Sequence, residues 1–365
     1  MSKAAELAKA GETLTNQPSG RKNLVTNGAM QVAQRATSVT GIGAAAGYFT
    51  LDRWKISTAA SAGRLTMTQT ADGPSGFANC LKLDCTTADT SVAAGENLVL
   101  QQRLEGQDLQ QIKKGTSDAE SITVSFYVKA NAVFTFGCEL FDQDNNRQIT
   151  KLFATTTDWV RHELTFPADT TGAFGDDNAR SLDIQFLLHA GSNLTSGTLN
   201  TSSFASTTDA NRAVGISSFY SSTDNNFFIT GVQMEIGSQA TNFEHRSFGE
   251  EFDLCLRYFQ KVGGEADDNN VSVGAGLWYS TTIVLGHLQF QKRMRAAPTV
   301  ANTETDVFKV NYSQASIDSN DATPIDVLQP ASARIVPTMT SGGTAGHGAY
   351  VITKGANRVT FDAEL

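Results

Sequence analysis

FFITGVQMEIGSQATNFEHRSFGEEFDLCLRYFQK, residues 227–261, passes within one connection from the period of a strand to the period of a helix. In its first part Phe228, Thr230, Val232, Met234 and Ile236 fall on one face and Gly231, Gln233 and Glu235 on the other, the alternation of a half-buried strand. This run reads as the closing strand of a sandwich. In its second part Ser247, followed three residues later by Glu250, is a capping-box pattern, and Phe252, Cys255, Leu256 and Phe259 recur at helical spacing. A helix of about three turns is expected over residues 250–260.

Upstream of this seam the sequence is a succession of short strand-like runs. NLVTNGAMQVAQR (23–35), YFTLDRWKI (48–56), RLTMTQT (64–70), NCLKLDCTT (79–87) and ENLVLQQRLEG (96–106) come first. SITVSFYVKAN (121–131), the pair in FTFGCELFDQDNNRQITKLFATT (134–156), WVRHELTFP (159–167) and SLDIQFLLHAG (181–191) follow. Each is bounded by turn residues, and roughly eight to ten such strands are the pattern of an antiparallel sandwich. A polar segment at 107–120 reads as a short helix or loop. The connection 191–226 is long and built mainly of Ser, Thr, Asn, Gly and Ala; loops of that length are functional, flexible or tied down by a neighbouring chain.

Downstream, LWYSTTIVLGHLQF, TDVFKVNY, SARIVPTMT, GAYVITKG and NRVTFDAEL form a second set of strand-like runs after a Gly/Asp/Asn linker at 263–270, with the last two expected as a hairpin turning at 354–357. The expected fold is therefore mainly β: an antiparallel jelly-roll sandwich over 22–246, a short connecting helix over 247–262 and a smaller β-domain over 263–365. Residues 1–21 hold an Ala/Leu/Lys/Glu segment whose one or two helical turns are marginal alone. They either dock on a neighbour or fray.

Composition narrows the partners. Charged residues make up 18% of the chain and the net charge is −9 with scattered Lys and Arg, which speaks against nucleic-acid binding through the overall field. No apolar run approaches the roughly 20 residues that span a bilayer. MSKAAELAKAGETL lacks the apolar centre of a signal peptide, so synthesis in a cytoplasm is expected. Cys80 and Cys85 are close enough in sequence to face each other across a turn, while Cys138 and Cys255 sit in apolar patterns. All four are read as reduced, mostly buried small hydrophobes, and without a CxxC pair no zinc site is expected.

No catalytic motif stands out. Asp142, Asp144 and Asn146 match the first ligands of a calcium loop, but Arg147 stands where the glycine belongs and Phe153 where the bidentate glutamate belongs, so a hairpin turn is the better reading. No histidine lies near a nucleophile elbow, and no motif selects two carboxylates for glycoside cleavage. No metal or cofactor is expected. Sugars stack on aromatic rings and pair with polar side chains, which makes Trp278 and Tyr279 in the second domain and Phe219 and Tyr220 in the long loop the candidate ligand contacts. Trp54 and Trp159, embedded in alternating runs, read as core. For Trp278 the core and ligand readings stand level, because Gly274 and Gly276 place it near a strand start.

GVQMEIGSQATNFEHRS followed by EEFDLCLRYFQK resembles a signature of tail-fibre and receptor-binding proteins of tailed bacteriophages, in which it closes a jelly-roll domain similar to carbohydrate-binding modules. NLVTNGAMQVAQR, DRWKI, SFYVKAN, TDWVRHELTFPADTTG and FQKRMRAAPTV resemble further segments of that family in order, so the resemblance covers about residues 23–300. It implies a virion structural protein, commonly a homotrimer, that contacts a host-surface glycan or lipopolysaccharide and joins other virion proteins through residues 1–21. Related proteins often carry Asp after the first-strand Asn-Gly, where carbohydrate-binding relatives can hold calcium; here the residue is Ala29, and no metal is carried over. The expected function is a non-enzymatic tail fibre or receptor-binding protein, with a head fibre or capsid-decorating protein and a polysaccharide depolymerase as alternatives.

Overall fold

The computed structural model describes residue 3 and residues 21–263, 271–302, 307–312, 315–319, 324–354 and 358–365. Most of the segment 1–21, the linker 264–270 and the turn at 355–357 lie outside the described residues. The chain divides into two compact units, Met1–Ser247 and Phe248–Leu365.

Strands are numbered in chain order. One sheet of the first unit runs β1 (Ser38–Ile42), β4 (Arg64–Thr70), β5 (Cys80–Thr87), β13 (Asn226–Ile236), β7 (Ile122–Ala130), β10 (Val160–Phe166). The other runs β12 (Ala205–Ser206), β9 (Arg147–Ala154), β8 (Thr135–Asp142), β11 (Arg180–Ala190), β6 (Asn97–Glu105), β3 (Lys55–Ala59), β2 (Gly47–Tyr48). The chain changes sheet between β3 and β4, β5 and β6, β6 and β7, and β7 and β8, so successive strands face each other across the core in jelly-roll fashion. Leu65, Leu83, Val124 and Phe126 from one sheet meet Leu100, Phe136, Ile184 and Phe186 from the other, all fully buried. Phe126 sets its edge against Phe153 and Phe186, with ring centroids 5.0 Å apart in each pair. Each such ring contributes about 1.5–3 kcal/mol by leaving water.

The closing strand departs from the simple alternation of its sequence. Phe227, Ile229, Val232 and Met234 are the residues in the core, and the register with β7 shifts between Thr230 and Gln233. Gly231, at φ +63°, occupies that bulge, and a Cβ there would lie 2.7 Å from the Phe77 ring. The extra residue reverses the facing of everything before it. Phe228 and Thr230 therefore sit on the outer face, where Phe228 meets the Trp159 ring and the Lys129 and Lys82 ammonium groups. Trp54 is fully buried as expected, but Trp159 is half-buried on this outer face rather than in the core.

The run 23–35 forms no strand. It is an irregular segment held by its asparagines. Asn23 donates from Nδ2 to the Val232 carbonyl (3.1 Å), and its Oδ1 accepts from the Val25 and Met234 N–H groups (3.0 and 3.1 Å). Asn27, at φ +57°, donates to the Val32 and Asp52 carbonyls and accepts from the Gln31 and Val32 N–H groups, while its own carbonyl takes the Trp54 indole N–H at 3.0 Å. A Cβ on Gly28 would lie 2.1 Å from the Val232 oxygen, so only glycine fits there.

The stretch after β13 completes this clasp. Glu235 accepts from the Thr241 N–H and hydroxyl, and Gln233 accepts from the Glu244 N–H. Glu244 Oε2 then accepts from the Lys22 and Asn23 N–H groups (2.8 and 2.6 Å), and the Arg246 guanidinium donates to the Asn23 and Val25 carbonyls.

In the second unit, the helix α2 (Phe248–Cys255; α1 is Ser192–Thr195 in the first unit) is shorter than its apolar spacing predicts. Phe259, placed by that spacing on the helix, begins β14 (Phe259–Gly263), which pairs with β23 (Arg358–Asp362); β17 (Thr299–Asn302) completes this three-stranded sheet. Strand pairing keeps Phe259 buried just as a helix would, and supplies backbone partners as well. The second sheet runs β19 (Ala315–Asp318), β18 (Phe308–Tyr312), β22 (Gly348–Thr353), β15 (Ser272–Trp278), β16 (Val284–Gln289), β21 (Ser332–Ile335), β20 (Ile325–Asp326). β22 and β23 thus belong to different sheets, not to one hairpin. Val351 and Phe361 enter the same core from the two sides.

All four cysteines are buried and free. Cys80 and Cys85 lie on the same strand, about 16 Å apart at the usual rise per residue, so they cannot face each other across a turn. Burial pushes the Cys80 thiol up to about 12.

Asn23→Ala removes three buried hydrogen bonds of the clasp and leaves their backbone partners unmet. We expect a loss of about 3 kcal/mol or more, seen as a lower urea midpoint with an unchanged denaturant slope.

Candidate functional site

Among the sheet faces turned away from a core, one in each unit shows how far covering decides what reaches solvent. On the seven-stranded sheet of the first unit, Gln101, Gln185 and Glu139 align in one outward row, with Asp183 in the next. All four are nonetheless buried. The long connection 191–226 lies across this face and is bonded to it. Arg212 donates to both oxygens of Glu139 (2.9 and 2.8 Å) and stacks over Phe141 at 4.7 Å. Ala213 packs on Val99 and Leu187, Asn200 donates to the Gln148 carbonyl, and β12 pairs with β9. The connection is therefore tied down by its own sheet. Burial works against the Arg212 charge, but Glu139 outweighs it and holds the guanidinium pKa above its ordinary value.

Phe219 and Tyr220, two of the aromatic residues expected to meet ligand, belong to this connection and are fully buried in the core of the unit. The Tyr220 ring lies so close over Gly63 that a Cβ there would be 2.5 Å from it. Their rings are packing groups. Beside them His189 is also fully buried, with Nδ1 2.8 Å from Ser218 Oγ and Nε2 3.3 Å from Glu96 Oε2. A serine, an imidazole and a carboxylate stand in line, but the imidazole is sealed under the Tyr220 ring, 5.3 Å away. Burial lowers the His189 pKa, and the nearby carboxylates of Glu96 and Asp89 only partly offset it.

The second unit has the open face. Along β15, Trp278 points into the core, fully buried, with the Gly343 backbone pressed against its indole. Strand alternation then turns Leu277 and Tyr279 outward, 47% and 67% exposed. Of the four aromatic candidates, Tyr279 is the one at the surface. Ala275 is paired with Tyr350, Leu277 with Gly348 and Leu285, and His287 with Arg334. The small Ala275 leaves a depression beside the larger side chains. The result is a groove of about 470 Å³ lined by Ala275, Gly276, Leu277, Leu285, Gly286, His287 and Arg334.

Charge is fixed at one end of this groove. Arg334 donates from Nε and Nη2 to the two oxygens of Asp326 at 2.7 and 2.6 Å, and this pairing holds the Asp326 carboxyl below its ordinary range. Tyr350, 45% exposed, stands at the other side with its hydroxyl bonded to Ser272 Oγ. Such a surface offers an aromatic ring, an aliphatic wall and a planar charged pair to one ligand. Tyr350 and Arg334 were not singled out from sequence. A signal existed in GAYVITKG, where Tyr350 stands out of phase with the buried Val351.

Among the described residues no group of three or more His, Cys, Asp or Glu side chains is placed to hold a metal ion, and no helix is long and apolar enough to cross a membrane.

No protein-family model matches the chain, and no curated protein matches it. Among solved structures it is similar to a CBM4 module at 11% identity and a TM-score of 0.30, over 58% of this chain and 99% of that one. It is similar to the CBM22-1 xylan-binding domain of Paenibacillus barcinonensis at 11% identity and a TM-score of 0.29, over 61% and 100%. The enzymatically active domain of tailspike protein 4 of bacteriophage CBA120 is similar at 12% identity and a TM-score of 0.29, over 59% of this chain and 21% of that one. At these levels the likenesses assign this chain no ligand and no activity.

His189 gives this region a pH dependence. Its pKa is lower folded than unfolded, so its contribution to stability is complete above the ordinary imidazole value of 6.5 and is lost as pH falls through the lowered value. The unfolding midpoint of the wild type should decline below pH 6.5, and the decline should be shallower in His189→Asn, measured by thermal melts across that range.

Proposed function

We propose that this chain is a non-enzymatic structural protein of a tailed-bacteriophage particle, a tail fibre or receptor-binding protein, and that the outer face of its second unit binds a host-surface glycan. The observation that carries the glycan reading is the open groove lined by Leu277, Leu285, His287 and Arg334, with the exposed Tyr279 and Tyr350 rings on neighbouring positions and the Arg334–Asp326 pair at one end. Sugars are bound through ring stacking and planar hydrogen-bonding groups on shallow surfaces, and the covered face of the first unit offers neither to solvent. The ordered motifs across residues 23–300 support the phage assignment.

Binding rather than cleavage is favoured by the charges present. Glycoside hydrolysis needs two carboxyl groups flanking one bond, one of them able to give a proton. The groove lining contains no carboxylate, and the adjacent Asp326 is held ionised by Arg334. A single groove of this shallowness binds weakly. A homotrimer, docked on the virion through residues 1–21, presents three grooves at once and gains affinity through linkage.

Tyr279→Ala, Tyr350→Ala and Arg334→Ala change exposed side chains and should alter stability by less than about 0.5 kcal/mol. The triple variant should nevertheless lose at least about tenfold in adsorption to host cells, roughly 1.4 kcal/mol. Undiminished adsorption would remove the groove from the reading. On purified particles, labelled antibody should mark the tail; labelling confined to the capsid surface would reassign the protein to a head fibre or decoration, and a monomer in light scattering would count against a fibre in either place.

A further inference from the structure

Lys114 places a charged ammonium where solvent does not reach, its side chain being 3% exposed. Nζ lies 2.6 Å from Asp142 Oδ2 and 3.1 Å from Asp169 Oδ2. It donates to the carbonyl oxygens of Thr171 and Gly172, both at 2.7 Å, and stands 5.3 Å from the centre of the Phe174 ring. Four oxygens from two separate segments of chain thus converge on one positive charge. Asp142 is the residue whose spacing matches the first ligand of a calcium loop, so that acid does hold a cation, supplied by the protein itself.

The cage is built independently of the lysine. Asn145 donates its N–H to Asp142 Oδ1 and its Nδ2 to Asp142 Oδ2, each at 3.0 Å. Arg147 grips Asp169 through Nε and Nη2 at 2.8 and 3.0 Å. Gly172, at φ +69°, brings its carbonyl in where a Cβ would lie 2.2 Å from Asn145 Oδ1. Two carboxylates and one guanidinium leave the cage one negative charge, which a single monovalent cation neutralises. The distances of 2.6–3.1 Å suit N–H donation and lie at or beyond the upper limit of the 2.3–2.6 Å of calcium–oxygen bonds.

We propose that this cage is a binding site for a small primary ammonium, that the Lys114 side chain is its tethered occupant, and that cutting the tether converts it into a site for a free alkylammonium ion. Lys114→Ala deletes the atoms of n-propylammonium, which is therefore the probe. The variant should melt below the wild type, and n-propylammonium chloride should raise its midpoint in a saturable, concentration-dependent way, while sodium chloride and tetramethylammonium chloride at equal ionic strength should not. Wild type, Lys114→Met, whose side chain fills the space, and Lys114→Ala with Asp142→Asn should show no such response. A Lys114→Ala midpoint indifferent to n-propylammonium, or an equal rise in the wild type, overturns the proposal. If Lys114→Ala is recovered unfolded, refolding yield with and without the probe becomes the readout, and a yield the probe does not raise overturns the proposal as well.

Discussion

The first unit depends on one closure. A jelly roll brings the two ends of its chain to neighbouring places in one sheet, and here Asn23 bonds to both sides of that meeting, to Val25 at the start and to Val232 and Met234 in the last strand. Glu244 and Arg246 return over the same residues from beyond the strand. All but the Asn23–Val25 bond join positions more than 200 apart in sequence, so they form only when the strands between them are in register. In return they meet backbone groups of an irregular segment that no ladder would satisfy.

Closure also explains why residues that resist a packing account by type alone occur where they do. Gly28 is where the first segment passes the Val232 carbonyl, and Gly231 is where the last strand takes its bulge. The bulge turns Phe227 and Ile229 inward and Phe228 outward, so that Lys129 and Lys82 cover the Phe228 ring. A similar device holds the 169–172 loop to the end of β8, where the Lys114 ammonium stands among four oxygens. Both devices hold loops by directed polar contacts, at places where the apolar core does not reach.

The contrast between the two sheet faces bears most directly on function. In the first unit the polar outward rows are sealed by a connection that bonds to them through Arg212, Asn200 and β12. In the second unit the face around Ala275, Leu277 and Leu285 holds an open groove with exposed aromatic and charged side chains close by. Burial, rather than residue type, decides which of the two can meet a partner.

The sequence by itself determined the β class, the antiparallel sandwich and the change of element after residue 236, because alternation and turn residues are local properties of the chain. It also determined that the cysteines are buried thiols and that Trp54 is core. Only the tertiary structure decided the facing of Phe228, the end of the helix at Cys255 and the separation of β22 from β23, since each follows from pairing with strands distant in sequence. The site divides in the same way. Alternation at residues 277–279 is legible and puts Trp278 and Tyr279 on opposite faces, but burial of Phe219 and Tyr220 and the placing of Tyr350 and Arg334 beside the groove depend on what lies across from each, which no local pattern records.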